Sequence, residues 1–286
     1  MALDFQNLLN WKFDDVTQTY SERDTILYAL GVGYGTDPLD EEDLRFVYEE
    51  RLQVVPSMAV VLGYPGFWLK DPRTGVNWPS ALHGEQGVIW HAPLRTSGTV
   101  IGRNRVKDFI DKGPGKGALL YMEREIVDAL SGEALATLTS TSVLRADGGS
   151  GGPTKPVPLP HRMPEGTPDR VDVTKTSSRA ALIYRLSGDR NALHVDPKVA
   201  ASVGFSRPIL QGLCTFGLAT RALLRTCCEN NPARLKSLQA RFSSPVFPGE
   251  EIATDVWCDG AQISFRCRAS QRDKVVIDNG LAMLNI

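Results

Sequence analysis

The sequence predicts an α+β fold built twice over, and three observations carry that expectation. A Gly-, Ser- and Pro-dominated stretch, residues 147–169, cannot bury a core and reads as an exposed linker between residues 1–146 and 170–286. In the second part, the mostly apolar run PILQGLCTFGLATRALLRTCC is long enough for a buried helix of about five turns. Short alternating runs follow it, broken by Pro-Gly, Asp-Gly and Asn-Gly, as successive antiparallel strands are. The first part repeats the order of helix, helix and strands. An apolar helix beside an antiparallel sheet is buried when the sheet curls round it. Two such units can join sheets edge to edge, which also protects a strand edge.

Taken in order, YSERDTILYALGVG opens the first unit, with Ser21 as a helix cap and Glu22 to Asp24 suited to the first turn. PSMAVVLGYPGFWLK is its second helical candidate, the counterpart of the long helix. Strands are expected in ALHGEQGVIWHAPL, TSGTVIGRNRVKDFI, GALLYMEREIVDA and EALATLTSTSVLR. In the second unit a strand-like YRLS leads through a turn at Gly188 to a short helix, DPKVAASVG, and then to the long one, favoured over a strand by its length and Ala/Leu content. LKSLQARFSSPVFPG, EIATDVWCDG, QISFRCRASQR and KVVIDNGLAMLNI complete it as strands. An internal repeat aligns LHGEQGVIWHAPL with LQARFSSPVFPG, and SERDTILYALGVG with SGDRNALHVDPKVAASVG.

Composition excludes several functions. The 286 residues carry 32 basic and 33 acidic side chains, so no global field draws nucleic acid or an anionic membrane. No apolar run approaches the ~18 residues a membrane span needs. The five cysteines, an odd number with an adjacent pair and no C-x-x-C spacing, fit neither a disulfide framework nor a metal site, so reduced, mostly buried thiols are expected. The opening MALDFQNLLNWKFDD lacks the basic region and apolar stretch of a secretory signal, and the closing AMLNI is not a peroxisomal ending of the S-K-L type. A cytoplasmic location is the expectation.

Chemistry concentrates in one segment. Of the four histidines, His161 falls in the linker and is expected to be solvated, while His91 reads as a core or interface residue of a strand. His83 reads as a hydrogen-bonded strand residue lining the boundary between units, where it could also meet substrate. His194 stands out by its company: Asp189 follows Gly188, Asn191 comes two residues later, and His194 three after that. Gly188 permits a tight turn that points Asp189 into a cleft. Asn191 both donates and accepts hydrogen bonds, and His194 titrates near neutrality. A carboxylate, an amide and an imidazole so spaced can surround one water, the equipment for adding or removing water at a carbon–carbon double bond. Asp–His pairs also serve as plain caps and salt bridges, and spacing alone leaves both readings open.

The string YRLSGDRNALHVDPKVAASVGF resembles the signature of the MaoC-like dehydratases, most closely that of the hydratase 2 enzymes, as in the hydratase 2 domain of peroxisomal multifunctional enzymes. PILQGLCTFG, FSSPVFPGE and LHGEQ are similar to further motifs of that family, so the resemblance spans nearly the whole chain outside the linker. It implies a double hot dog fold, in which two antiparallel sheets each wrap a long central helix. It also implies reversible hydration of trans-2-enoyl-CoA to (R)-3-hydroxyacyl-CoA. By the same resemblance Asp189 and His194 are the acid–base pair, Asn191 helps to hold the water, and the N–H of Gly212 receives the thioester oxygen. The first unit has lost these groups and widens the acyl tunnel; SERDTILYAL keeps Asp24 but no histidine. Two departures stand out. Ala192 replaces the usual Pro without removing a catalytic atom, and Gln211 replaces a frequent His, which points to altered substrate preference.

Arg207 is a candidate for a coenzyme A phosphate, or else a solvated charge. No metal and no cofactor are expected beyond the coenzyme A of the substrate, and a homodimer is. Competing readings are a dehydratase acting on another CoA or carrier-protein thioester, a hot dog thioesterase, and a non-catalytic acyl-CoA-binding protein. The intact Asp–Asn–His string disfavours the last two.

Overall fold

In the computed structural model, which describes residues 3–285, the first half opens with α1 (Phe5–Leu9) and β1 (Val16–Tyr20). The terminal Met1, Ala2 and Ile286, on which the readings of both chain ends partly rest, lie outside the described residues. Helix α2 (Glu22–Gly31) starts at Ser21 as its sequence predicts: the Ser21 N–H and hydroxyl both donate to the Asp24 carboxylate, at 2.9 and 2.6 Å. Helix α3 (Glu41–Val47) is capped by Asp40, and β2 (Ala81–Trp90), β3 (Gly98–Asp111), β4 (Ala118–Asp128) and β5 (Ala134–Leu144) follow.

The second half runs through β6 (Arg170–Lys175), α4 (Ala180–Tyr184), α5 (Pro197–Ser202) and the long helix α6 (Gly212–Cys227). It closes with β7 (Leu235–Phe242), β8 (Glu251–Asp259), β9 (Gln262–Ala269) and β10 (Lys274–Leu284).

All ten strands form one antiparallel sheet, ordered β1-β3-β4-β5-β2-β7-β10-β9-β8-β6. Read inward from either end, the two halves have the same order, β1-β3-β4-β5-β2 and β6-β8-β9-β10-β7. The halves are therefore joined edge to edge at a β2–β7 seam, where Glu85 lies opposite Arg241 and forms a 3.0 Å ion pair with it. One hydrophobic core crosses the seam. It includes Tyr28, Val32 and Met58 from the first half and Phe216, Leu223 and Phe265 from the second. Each such side chain contributes roughly 1.5–3 kcal/mol by leaving water.

Three details depart from the sequence reading. PSMAVVLGYPGFWLK does not form a long helix; it makes short 3₁₀ segments at Pro56–Val61 and Trp68–Lys70. Pro65 disfavours helical geometry at Tyr64. Gly63 has φ +58° and packs so tightly on Gly102 that a Cβ there would lie 2.5 Å from the Gly102 Cα. The YRLS segment is not a strand, since Tyr184 ends α4 and Arg185–Ser187 form a 3₁₀ turn. The repeat also aligns differently at this point. The unit β1–α2 corresponds to β6–α4, so Tyr28 matches Tyr184, and their rings pack 5.9 Å apart. Counted from these tyrosines, the place of Asp189 falls on Gly33. Asp24 sits near the start of α2, where it serves the capping box.

The linker residues 147–169 contain no regular element, yet they are held. The N–H groups of Gly149, Gly151 and Gly152 donate to the buried Asp111 carboxylate. His161 is not simply solvated; its Nε2 lies 2.7 Å from the Ser264 hydroxyl. Four of the five cysteines are buried and Cys258 is exposed. Among the described residues no helix is long and apolar enough to cross a membrane.

Candidate active site

Between α4 and α5 the chain is shaped by its own short polar side chains. Gly188 has φ +125°, a conformation that L side chains rarely adopt, and it turns the backbone out of the 3₁₀ segment. Asp189 Oδ1 then accepts the N–H of Asn191 at 3.1 Å, and Asn191 Oδ1 accepts that of Leu193 at 3.2 Å, capping a turn at Ala192–His194. These two nested turns bring the carboxylate and the imidazole face to face, with 3.7 Å between Asp189 Oδ2 and His194 Nε2.

The far nitrogen of that ring determines what the near one does. His194 Nδ1 lies 2.9 Å from the carbonyl oxygen of Ile209. A carbonyl only accepts, so Nδ1 carries the hydrogen and Nε2 of the neutral ring presents a lone pair. Two acceptors therefore face each other across a gap too long for a hydrogen bond. A water placed between them has two O–H groups to give. The Asn191 amide keeps its N–H₂ available beside them, because only its oxygen serves the turn.

Gly212 is the first residue of α6, and its N–H meets no acceptor among the described residues, as expected at a helix N-terminus. The helix dipole there favours developing negative charge. Packing does not require glycine, since a Cβ would meet the Phe242 ring at an ordinary 3.5 Å. Gln211, expected to touch substrate, is fully buried instead. Its amide donates to the Ala181 carbonyl at 3.1 Å, bracing α4 against the start of α6. Its Oε1 meets no partner among the described residues. Arg207 is exposed, with its guanidinium 4.8 Å above the Phe247 ring.

Residues of the first half lie within electrostatic reach of Asp189. At Gly84 the β2–β5 register slips, a bulge in which a Cβ would lie 2.8 Å from Val143. Beside the bulge, His83 Nε2 lies 3.0 Å from the Glu85 carbonyl, and the ring packs edge-on against Phe242 at 5.0 Å. His83 is exposed to water on one side, with protein crowded around the rest of its ring. That enclosure pushes its pKa down to about 4, opposed by the Glu85 carbonyl and the Asp189 charge. Tyr64 is stacked under a cation, the Arg124 guanidinium lying 5.5 Å from the tyrosine ring. Tyr64 is nearly half exposed, yet the protein crowded around it raises its pKa, and the Asp189 carboxylate adds to the effect. Neither residue was anticipated from sequence. A usable signal existed for Arg124, which shares the alternating face of β4 that carries Leu120, Met122 and Ile126, an odd place for a lone cation.

Residues 18–146 match the MFE-2 hydratase 2 N-terminal domain, and residues 161–280 match the MaoC like domain. The chain is 34% identical to a peroxisomal enoyl-CoA hydratase 2 of Arabidopsis thaliana, over 94% of this chain and 92% of that protein. It is 40% identical to the 3-hydroxyacyl-thioester dehydratase Y of Mycobacterium tuberculosis, over 91% of each. The crystal structure of a MaoC-like dehydratase from Phytophthora capsici superposes with a TM-score of 0.86 at 37% identity, covering 99% of both chains. In fold alone, the chain also resembles a Mycobacterium tuberculosis protein described as a double hotdog, with a TM-score of 0.59 at 16% identity. Two family domains in tandem, full-length relatives and a shared architecture lead to one assignment: the chain belongs to the MaoC-like hydratase 2 family, with a double hot dog fold.

Proposed function

We propose that the chain is an (R)-specific enoyl-CoA hydratase, adding water reversibly to trans-2-enoyl-CoA. The observation that carries this reading is the pair of acceptors, Asp189 Oδ2 and His194 Nε2, facing each other across 3.7 Å with the histidine tautomer fixed by Ile209. A water between them is held by both of its O–H groups, which leaves an oxygen lone pair free to attack C3. As that oxygen bonds to C3, the π electrons move through C2 to the thioester oxygen, where the Gly212 N–H and the α6 N-terminus meet the enolate charge. Such a donor is typically worth ~3 kcal/mol in the transition state. One water proton passes to the Asp189–His194 pair, and the pair returns a proton to C2. Asn191 steadies the water through its free amide hydrogens.

The exposed Arg207 guanidinium is the proposed contact for a coenzyme A phosphate, and a homodimer belongs to the same proposal. The reaction needs no cofactor beyond the thioester itself. Free cysteine thiols fit a reducing compartment such as the cytoplasm. The test is loss of the enoyl thioester absorbance with four-, eight- and sixteen-carbon trans-2-enoyl-CoA, followed by chiral analysis of the product. The expected product is the (R)-3-hydroxyacyl thioester. Release of free thiol would point to a thioesterase, and activity confined to carrier-protein thioesters would move the enzyme to a biosynthetic dehydratase.

A further inference from the structure

The β2–β7 seam has a symmetry of its own. Gly87 lies opposite Gln239, and the flanking pairs are related: Glu85 with Arg241 corresponds to Ser237 with Ile89, and Gln86 with Ala240 to Leu238 with Val88. A pseudo-twofold axis through Gly87 and Gln239 therefore exchanges the two strands. The bulges obey it too, since β2 slips at Gly84 against β5 and β7 slips at Lys236 against β10. The same offset carries His83 onto Leu235 and Phe242 onto Trp90. At the catalytic end Phe242 packs against His83 at 5.0 Å and would lie 3.5 Å from a Cβ on Gly212. At the other end the Trp90 indole N–H donates at 2.9 Å to the carbonyl of Pro56, the first residue of the 3₁₀ segment that replaces a long helix.

Trp90, Leu235 and Pro56 line a cavity of about 500 Å³, a size that takes a small-molecule ligand. It is the twofold counterpart of the catalytic end, without the chemistry. A leucine stands for His83, a glycine for Asp189, and no carboxylate lines the cavity among the described residues. Features suited to binding remain. Gln53 lines it, and its Oε1 is buried without a hydrogen-bond partner, a cost that an incoming N–H removes. Arg95 lines it as an exposed cation. Its loop is fixed, because the Tyr20 hydroxyl donates to the Arg95 carbonyl at 2.9 Å and the Thr25 hydroxyl to the Thr96 carbonyl at 2.8 Å. An apolar wall, a buried acceptor and a cation suit a slender anion that carries amide N–H groups. The pantetheine arm of coenzyme A has such amides and leads to phosphates, whereas a free fatty acid has no N–H to offer. Resting on the hydratase reading for the class of ligand, we propose that this cavity is a second, non-catalytic site for a coenzyme A thioester.

Butanoyl-CoA is saturated, so it binds without being hydrated and can be counted by equilibrium dialysis. Wild-type protein is expected to bind two molecules per chain. Ala233→Trp, which fills the cavity from an exposed position, should bind one and keep its kcat on an enoyl thioester. Arg95→Glu should weaken the second site on the order of 10-fold, and Gln53→Leu several-fold. Free coenzyme A should displace the second molecule, and decanoate should not. A single molecule bound by wild type overturns the inference, even if Ala233→Trp fails to fold. So does a second molecule held equally well by wild type, Arg95→Glu and a folded Ala233→Trp. Displacement by decanoate but not by coenzyme A also overturns it, leaving a fatty-acid pocket. Absence of any bound butanoyl-CoA would defeat the hydratase reading as well.

Discussion

A neutral histidine presents a lone pair at Nε2 only if Nδ1 carries the hydrogen, and the Ile209 carbonyl fixes that arrangement for His194, so that Nε2 and the Asp189 carboxylate are two acceptors for one water. Replacing Asp189 by Asn would put an amide donor opposite Nε2 and let the two side chains bond to each other instead of to water. Asp189→Asn and His194→Ala are each expected to lower turnover at least ~100-fold, read by enoyl thioester absorbance on protein shown to be folded by circular dichroism. His83 allows a test of a different kind. Its pKa falls from an ordinary 6.5 to about 4 on folding, so between those values the unfolded chain binds more protons than the native one. This group therefore weakens the fold as pH drops from 6.5 to 4 and has no effect above 6.5. His83→Gln should flatten the loss of melting temperature over that window relative to wild type. Much of this site was legible in the sequence because Gly188, Asp189, Asn191 and His194 shape one another within a few residues. Ile209 was not, because it acts through a backbone carbonyl that any residue could supply.

Helix α6 was readable from its apolar length, but its seat was not. A Cβ on Gly217 would lie 2.3 Å from Val32 and 3.2 Å from the Tyr28 hydroxyl, contacts made between the two halves of the chain. Alanine is the better helix former by ~1 kcal/mol, yet overpacking of this kind costs typically ~1–3 kcal/mol. Gly217→Ala is therefore expected to be net destabilising, measured by urea unfolding. Eight of the ten strands were visible from their alternation and turns. The two outermost, VTQTY and RVDVTK, were missed because an edge strand buries little and so carries little apolar pattern. The first-half helix was over-read for the opposite reason. Its apolar composition fits any buried segment, and only Pro65 and the Gly63–Gly102 contact exclude a long helix.

Across the whole molecule the halves are tied by the seam and by one enclosed ion pair. Arg221 of α6 reaches Asp43 of α3 at 2.9 Å and Thr174 of β6 at 3.0 Å, and both charged side chains are buried. Removing one partner leaves a bare buried charge. Arg221→Met should cost ~3–5 kcal/mol in chemical denaturation, and the double replacement with Asp43→Leu should cost less than either change alone. The edge-to-edge joining of the halves was anticipated from the general need to cover strand edges, whereas this pair had no sequence signature.

The seam also bears on how the chain is made. When residue 146 leaves the ribosome, every strand of the first half exists, but β7, which completes the seam, ends almost a hundred residues later at Phe242. At ~5–20 residues per second, β2 remains an open edge for roughly 5–20 s. Glu85 then stands on that edge without Arg241, and the bulge at Gly84 spoils its regularity. Both features deter pairing with a stranger's strand. The charge that later fastens the two halves together thus first serves as a guard on the unfinished one.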